Sequence, residues 1–243
     1  MTAPPGQRYA LYRKWGTWIE VVRAEIVRAH LHQDLWTEIR DAVEGRHRTE
    51  DMTWLYSYSR VYGDHQMMTI RRVAENSTTT ASLGRVLASM RKQPLVLTRT
   101  RYMNAMGARG AKKADAASEW DRRFAHTPGD ETVDPAILET DLKYLNEGLK
   151  PIIERTHKTI AHLDAQITVA IRGGRRPKLE PVTYGDLRTA LEQLGEITNR
   201  YLSILRGYET AWTPAIQGDW QAPLRSSLFP NDPTFWQWYP SFT

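Results

Sequence analysis

Leu138, Leu142, Leu145, Leu149 and Ile152 follow one another at steps of four, three, four and three. That spacing is the seam of a packed amphipathic helix. It excludes a strand, whose side chains change face at every residue. Asp134-Pro135 stands just before the seam and reads as a helix start: a capping carboxylate, then proline at the first helical position. Gly148 and Pro151 lie inside it and predict a kink just before Arg155. A second seam holds Leu187, Leu191, Leu194, Ile197, Tyr201, Ile204 and Tyr208. It is preceded by Thr183-Tyr184-Gly185-Asp186, a capping box with Asp in place of Glu or Gln. Two long seams joined by a glycine- and proline-bearing loop, 172–181, predict an antiparallel helical pair within a bundle.

The rest of the chain is also helical in period. Leu11, Trp15, Trp18, Ile19, Val22, Ile26 and Ala29 recur at three- and four-residue steps. Leu35 to Val43 forms a second stretch that stops at Gly45. Asp51 is the predicted cap of a helix to about Glu75, with Leu55, Tyr58, Tyr62 and Ile70 inward. Thr79 or Thr80 is the predicted cap of Ala81 to Arg91, which Pro94 ends. Gly107 and Gly110 mark a basic loop before a short helix at about 114–125. No strand alternation extends over any length. The expected fold is therefore all-α, a multi-helix bundle. Its helical domain covers 8–210, divided into N-terminal helices 8–75, a basic middle segment 76–133 and the helix pair 134–208. Residues 211–243 form a separate tail rich in proline, with Trp220, Phe229, Phe235, Trp236, Trp238 and Tyr239. Such a tail is expected to dock in extended form on its own bundle or on a partner subunit, since each aromatic buries a large area. Stacking on unpaired bases is the alternative.

The 243 residues suffice for one large domain. The chain has no cysteine, which excludes disulfides and thiolate metal sites and points to a cytoplasmic setting. The first residues lack the apolar core of a signal peptide. No apolar run is long enough for a membrane span. The net charge of +5 says less than its distribution. Asn76 to Lys113 contains no Asp or Glu but holds Arg85, Arg91, Lys92, Arg99, Arg101, Arg109, Lys112 and Lys113. A second basic knot contains Arg172, Arg175, Arg176 and Lys178. Either cluster can track a phosphate backbone or be a solvated face; the second, close to the segment described next, is the better candidate for nucleic acid.

That segment is Glu154 to Asp164. At about 100° per residue, Arg155 and His162 fall on nearly one helix face, with Lys158 and Thr159 between them and His157 opposite. A guanidinium above an imidazole can bind a phosphate and move a proton, the minimum for metal-free RNA cleavage. In that role His162 is general acid or base, Arg155 holds the scissile phosphate and Lys158 neutralises a neighbouring one. Asp164 stands two residues from His162, too close in sequence to pair with it on a continuous helix. Binding without cleavage, and a buried polar set that fixes a dimer register, are the other roles open to these residues. His30 and His32 diverge on a helix, so no metal site is expected there. Asp64-His65 suits acid–base chemistry but has no recognisable partner. Arg71 and Arg72 with Glu75 read as ion pairs. No Walker loop, dinucleotide fingerprint or serine elbow is present, and no cofactor or metal is expected.

The run Arg155 to Asp164 resembles the signature of the HEPN superfamily, in which four to six residues separate Arg from His on a helical bundle; here six residues, Thr156 to Ala161, intervene. The ending Ile160-Ala161-His162-Leu163-Asp164 is similar to the abortive-infection, AbiU-like branch, and so is a loop followed by a capped helix, as at Thr183 to Asp186. Tyr62 to Arg72 and Ser82 to Leu87 look like uncharacterised bacterial proteins of the same type. In branch members with this ending the arginine often stands one residue later, where this chain has Thr156. The resemblance covers residues 8–210. It implies a HEPN-type bundle, a homodimer whose Arg/His helices face each other in one composite cleft, and metal-independent ribonuclease or RNA-binding activity in anti-phage defence or a toxin–antitoxin pair. The alternative is a non-catalytic dimeric interaction or nucleotide-sensing module.

Overall fold

A computed structural model describes residues 4–44, 49–77, 79–161 and 180–212. The described residues are helical and contain no strand; their one extended pairing is the isolated bridge between Thr98 and Thr132. The helices are α1 (Pro5–Glu44), α2 (Thr49–Ala74), α3 (Leu83–Lys92), α4 (Arg99–Gly107), α5 (Lys113–Arg123), α6 (Pro135–Lys143), α7 (Lys150–Thr156) and α8 (Tyr184–Arg206). A short 3-10 turn, Pro94–Val96, precedes α4. None is long and apolar enough to cross a membrane.

Helix α1 runs for 40 residues, about 60 Å at the α-helical rise. The two stretches expected from Leu11 and from Leu35 are thus one helix. Trp15, Ile19, Val22, Ile26, Ala29 and Trp36 are all buried along it, and no glycine or proline between 29 and 35 interrupts the pattern. α1 packs against α8, α2 and α3; α4 against α8 and α5; α2 against α7; α3 against α6. The two seams run side by side in opposite directions, as the expected pair: Asp141 faces Arg200 and Tyr201 towards the end of α8, and Leu149 and Ile152 face Asp186 and Ala190 towards its start. The Asp141 carboxylate of α6, 4% exposed, accepts from Arg200 and Tyr201 of α8.

Several local signals act as their chemistry dictates. Asp134 accepts from the Ala136 amide at 2.9 Å with Pro135 at the first position of α6. Thr183 and Asp186 complete the reciprocal capping box. The cap of α3 is not Thr79 or Thr80, which are exposed, but Ser82, whose hydroxyl accepts from the Arg85 amide and donates to the Glu75 carbonyl. That second bond joins the start of α3 to the end of α2, a tertiary preference that local propensity does not carry. Helix α2 begins at Thr49, ahead of the cap expected at Asp51. At the other end of the bundle Tyr102, Trp120 and Phe124 are fully buried ring against ring.

After α8, Gly207 turns the chain with φ of 71°. The chain then runs back along the helix: the Thr210 amide donates to Asn199 Oδ1 at 2.8 Å and the Asn199 amide nitrogen donates to the Thr210 carbonyl at 3.0 Å. Trp212 reaches the buried Gly195, where a Cβ would stand 2.8 Å from the indole Nε1, and stacks on His30 at 5.9 Å. The aromatic tail expected beyond this point lies outside the described residues.

Candidate functional site

The helix carrying Arg155 is interrupted twice. Residues Tyr144–Gly148 and His157–Ala161 are wound as π-helix, on either side of the seven-residue α7. Pro151 explains the first wide turn. It has no N–H for the Glu147 carbonyl and its ring crowds that oxygen, so the Leu149 amide returns to the Tyr144 carbonyl at 3.2 Å. Gly148 lets the Tyr144 ring fold over it, since a Cβ there would lie 2.7 Å from that ring. The kink expected at this place is thus a change of winding.

On α7, Ile152 and Thr156 are buried towards α2. Thr156 spends its hydroxyl on the Ile152 carbonyl at 2.6 Å. An arginine at position 156 would have to enter this packing. Arg155 instead lies half-buried and its Nη1 donates to the Glu180 carbonyl at 3.4 Å, a long bond. Thr159 donates to the Arg155 carbonyl at 2.7 Å, and Lys158 is half-buried without an ion pair among the described residues. His157 is exposed. Arg155, Lys158 and Thr159 therefore share one level of exposure. The α-helical count that extended their face to residue 162 does not apply through the π-wound 157–161, because a wider turn advances less per residue. His162, Asp164, Arg172, Arg175, Arg176 and Lys178 lie outside the described residues.

Beside α7 runs a groove of about 360 Å³ lined by Tyr144, Leu149, Ile152, Glu180, Val182 and Ala190, among others. Its charged groups are Glu180 and Asp186. The Thr183 amide and then its hydroxyl hold Asp186 below the usual carboxylate range, so it stays ionised as a cap. Two acidic side chains at the groove disfavour phosphate within it.

A second constellation had no local signal. His32 Nδ1 and His65 Nε2 meet at 2.9 Å between α1 and α2. Burial lowers the His65 pKa, and His32, Arg72 and Arg28 act in the same direction against Glu25. His65 thus has a partner after all, 33 residues away in sequence, a pairing that only the antiparallel register of two helices reveals. His30 and His32 diverge as expected, one to Trp212 and the other to His65. Among the described residues no group of three or more metal-ligating side chains forms. Arg71 pairs with Glu75 at 3.8 Å, and Arg72 reaches Glu25 on α1 at 3.2 Å.

His30 is buried, and burial lowers its pKa against the opposing pull of Asp34, the Leu191 backbone and Glu192. A histidine with a depressed folded pKa contributes stability above its unfolded value of about 6.5 and loses it as pH falls through that value towards the folded one. The urea midpoint is therefore expected to fall between pH 7.5 and pH 5.5 (both about one unit from 6.5), and to fall less in His30→Gln. Equal losses in both proteins would remove His30 as a cause.

A family model described as AbiU2, with the label HEPN_AbiU2, matches residues 12–222. Neither the curated proteins nor the solved structures contain a match.

Proposed function

Because the chain belongs to the HEPN AbiU2 family, matched across most of its length, we propose that it is a metal-independent endoribonuclease acting in anti-phage defence or as the toxin of a toxin–antitoxin pair. The observation that carries this is the place of Arg155. It leaves the packed core of α7 for the surface, beside Lys158, at the head of the Arg-x6-His signature. Among the described residues its guanidinium is held by one carbonyl, through a long bond, which suits a group that is to take a phosphate. In this role Arg155 binds the scissile phosphate and stabilises the charge that develops on it. His162 transfers the proton of the 2′-hydroxyl or of the leaving oxygen. A homodimer would set two such helices face to face and supply a second imidazole.

The test is product chemistry. Incubation with RNA is expected to give fragments ending in cyclic 2′,3′-phosphate, at a rate that EDTA leaves unchanged. Loss of cleavage on chelation, or 3′-hydroxyl ends, would overturn the assignment. The second reading, a non-catalytic dimeric interaction or nucleotide-sensing module, is favoured by the two carboxylates at the groove beside Arg155. It predicts a dimer with no cleavage at all.

A further inference from the structure

One face of α1 carries Tyr9, Tyr12, Gly16, Glu20 and Arg23, at steps of three, four, four and three. Two other elements bring cations to it. From the end of α8, Arg206 donates through Nε to the Gly16 carbonyl at 3.2 Å and lies 3.8 Å from Glu20. From α4 and the turn after it come Arg101, 5.1 Å over the Tyr12 ring, and Arg109, 5.0 Å over the Tyr208 ring. Tyr208 donates to Glu20 at 2.5 Å, and Arg23 Nε does so at 2.8 Å. The Tyr12 hydroxyl donates to the Leu205 carbonyl at 3.0 Å. Arg23 and Arg206 thus face one carboxylate, Glu20, and Arg101 and Arg109 lie on the tyrosine rings beside it. The next acid, Glu209, turns away to Arg123. Arg101 and Arg109 both come from the acid-free stretch 76–113. At the edge of this face Tyr9 is 59% exposed.

We propose that this face is a docking track for single-stranded RNA, with the arginines on successive phosphates and Tyr9 stacked on an unpaired base. The assignment rests on the RNA-directed function proposed above and adds where the strand lies away from Arg155. Excess positive charge attracts a phosphate chain. Aromatic rings beneath two of the guanidiniums, and for Arg101 the Val96 carbonyl that accepts from it at 2.7 Å, hold them at fixed positions. An exposed ring beside a cationic track is how sequence-tolerant single-strand binders are built. A membrane surface fits less well, because Tyr9 is the one large apolar side chain this face exposes.

The experiment is fluorescence anisotropy of a labelled single-stranded RNA against the full chain over a salt series. Arg101→Gln with Arg109→Ala is expected to weaken binding and to make the slope of log K on log salt shallower by about 1.4, from about 0.7 per lost phosphate contact. Arg109→Ala alone, whose side chain is exposed, should remove about half of that. Tyr9→Ala should weaken binding about five-fold or more without moving the slope. Arg188→Ala, on the exposed start of α8, is the control and should change neither. A wild type that binds RNA with slopes identical to those of the variants overturns the track and leaves the ribonuclease assignment standing. A wild type that does not bind RNA overturns both. Release of the variants from phosphatidylserine vesicles but not from RNA would assign the face to a membrane and overturn the proposal.

Discussion

His162→Ala is expected to lower the rate of RNA cleavage by about 10²–10⁴ while RNA affinity stays nearly unchanged, because an imidazole that moves a proton in the transition state contributes little to ground-state binding. Arg155→Ala should lower both, since a guanidinium on the scissile phosphate contacts ground and transition states alike. Thr156 sharpens the comparison. It is the next residue of the motif, but its side chain is buried and bonded within α7. Moving the arginine by the double change Arg155→Thr, Thr156→Arg should therefore destabilise the fold without restoring activity. His157→Ala, on an exposed position, should retain cleavage. Single-turnover rates with parallel binding measurements distinguish these outcomes. Cleavage that survives loss of both Arg155 and His162 would remove the pair from the chemistry.

Gly84→Ala is expected to destabilise the protein by about 3 kcal/mol, lowering Tm by about 6–12 °C for a chain of this size. A Cβ at this position would stand 2.1 Å from the Ala74 carbonyl oxygen, and the neighbouring carbonyl carbons of Ala74 and Glu75 are also close. Those atoms are backbone, so no side-chain rotation relieves the overlap; α3 must move off the end of α2. The Ser82–Glu75 bond lies in the same junction and would be strained with it. Gly107→Ala is the comparison. It ends α4 with nothing within 4 Å of its added carbon, and should be neutral or slightly stabilising. A thermal shift of the same small size for both substitutions would mean that the junction yields easily.

The helical seams, the Asp134-Pro135 start and the Thr183–Asp186 box were legible because each is written within one or two turns of chain, where spacing and cap chemistry suffice. Leu138, Leu142, Leu145, Leu149 and Ile152 are all buried, as their spacing requires. Features that depend on a second element were not legible. Ser82 outcompetes Thr79 and Thr80 because the Glu75 carbonyl is waiting for its hydroxyl. His65 finds His32 across a helix pair. The basic residues of the middle segment divide by neighbours far away in sequence: Arg91 and Arg99 pair with Glu139 and Asp121, whereas Arg101 and Arg109 lie on tyrosine rings. Charge counting along the chain treats these four alike.

The wide turns on either side of α7 act as spacers. An i→i+5 turn holds one residue more than the turn it replaces. Its five residues sweep about the angle of four in an α-helix, so the leucine seam before Tyr144 and the guanidinium of Arg155 keep the bearing that a shorter, regular helix would give them. Deleting one residue from 144–148 would restore ordinary winding and leave that bearing nearly unchanged, whereas a deletion between Lys150 and Arg155 would turn the guanidinium by about 100°. Tolerance to a lost residue is thus expected at the wide turn and not within the motif helix.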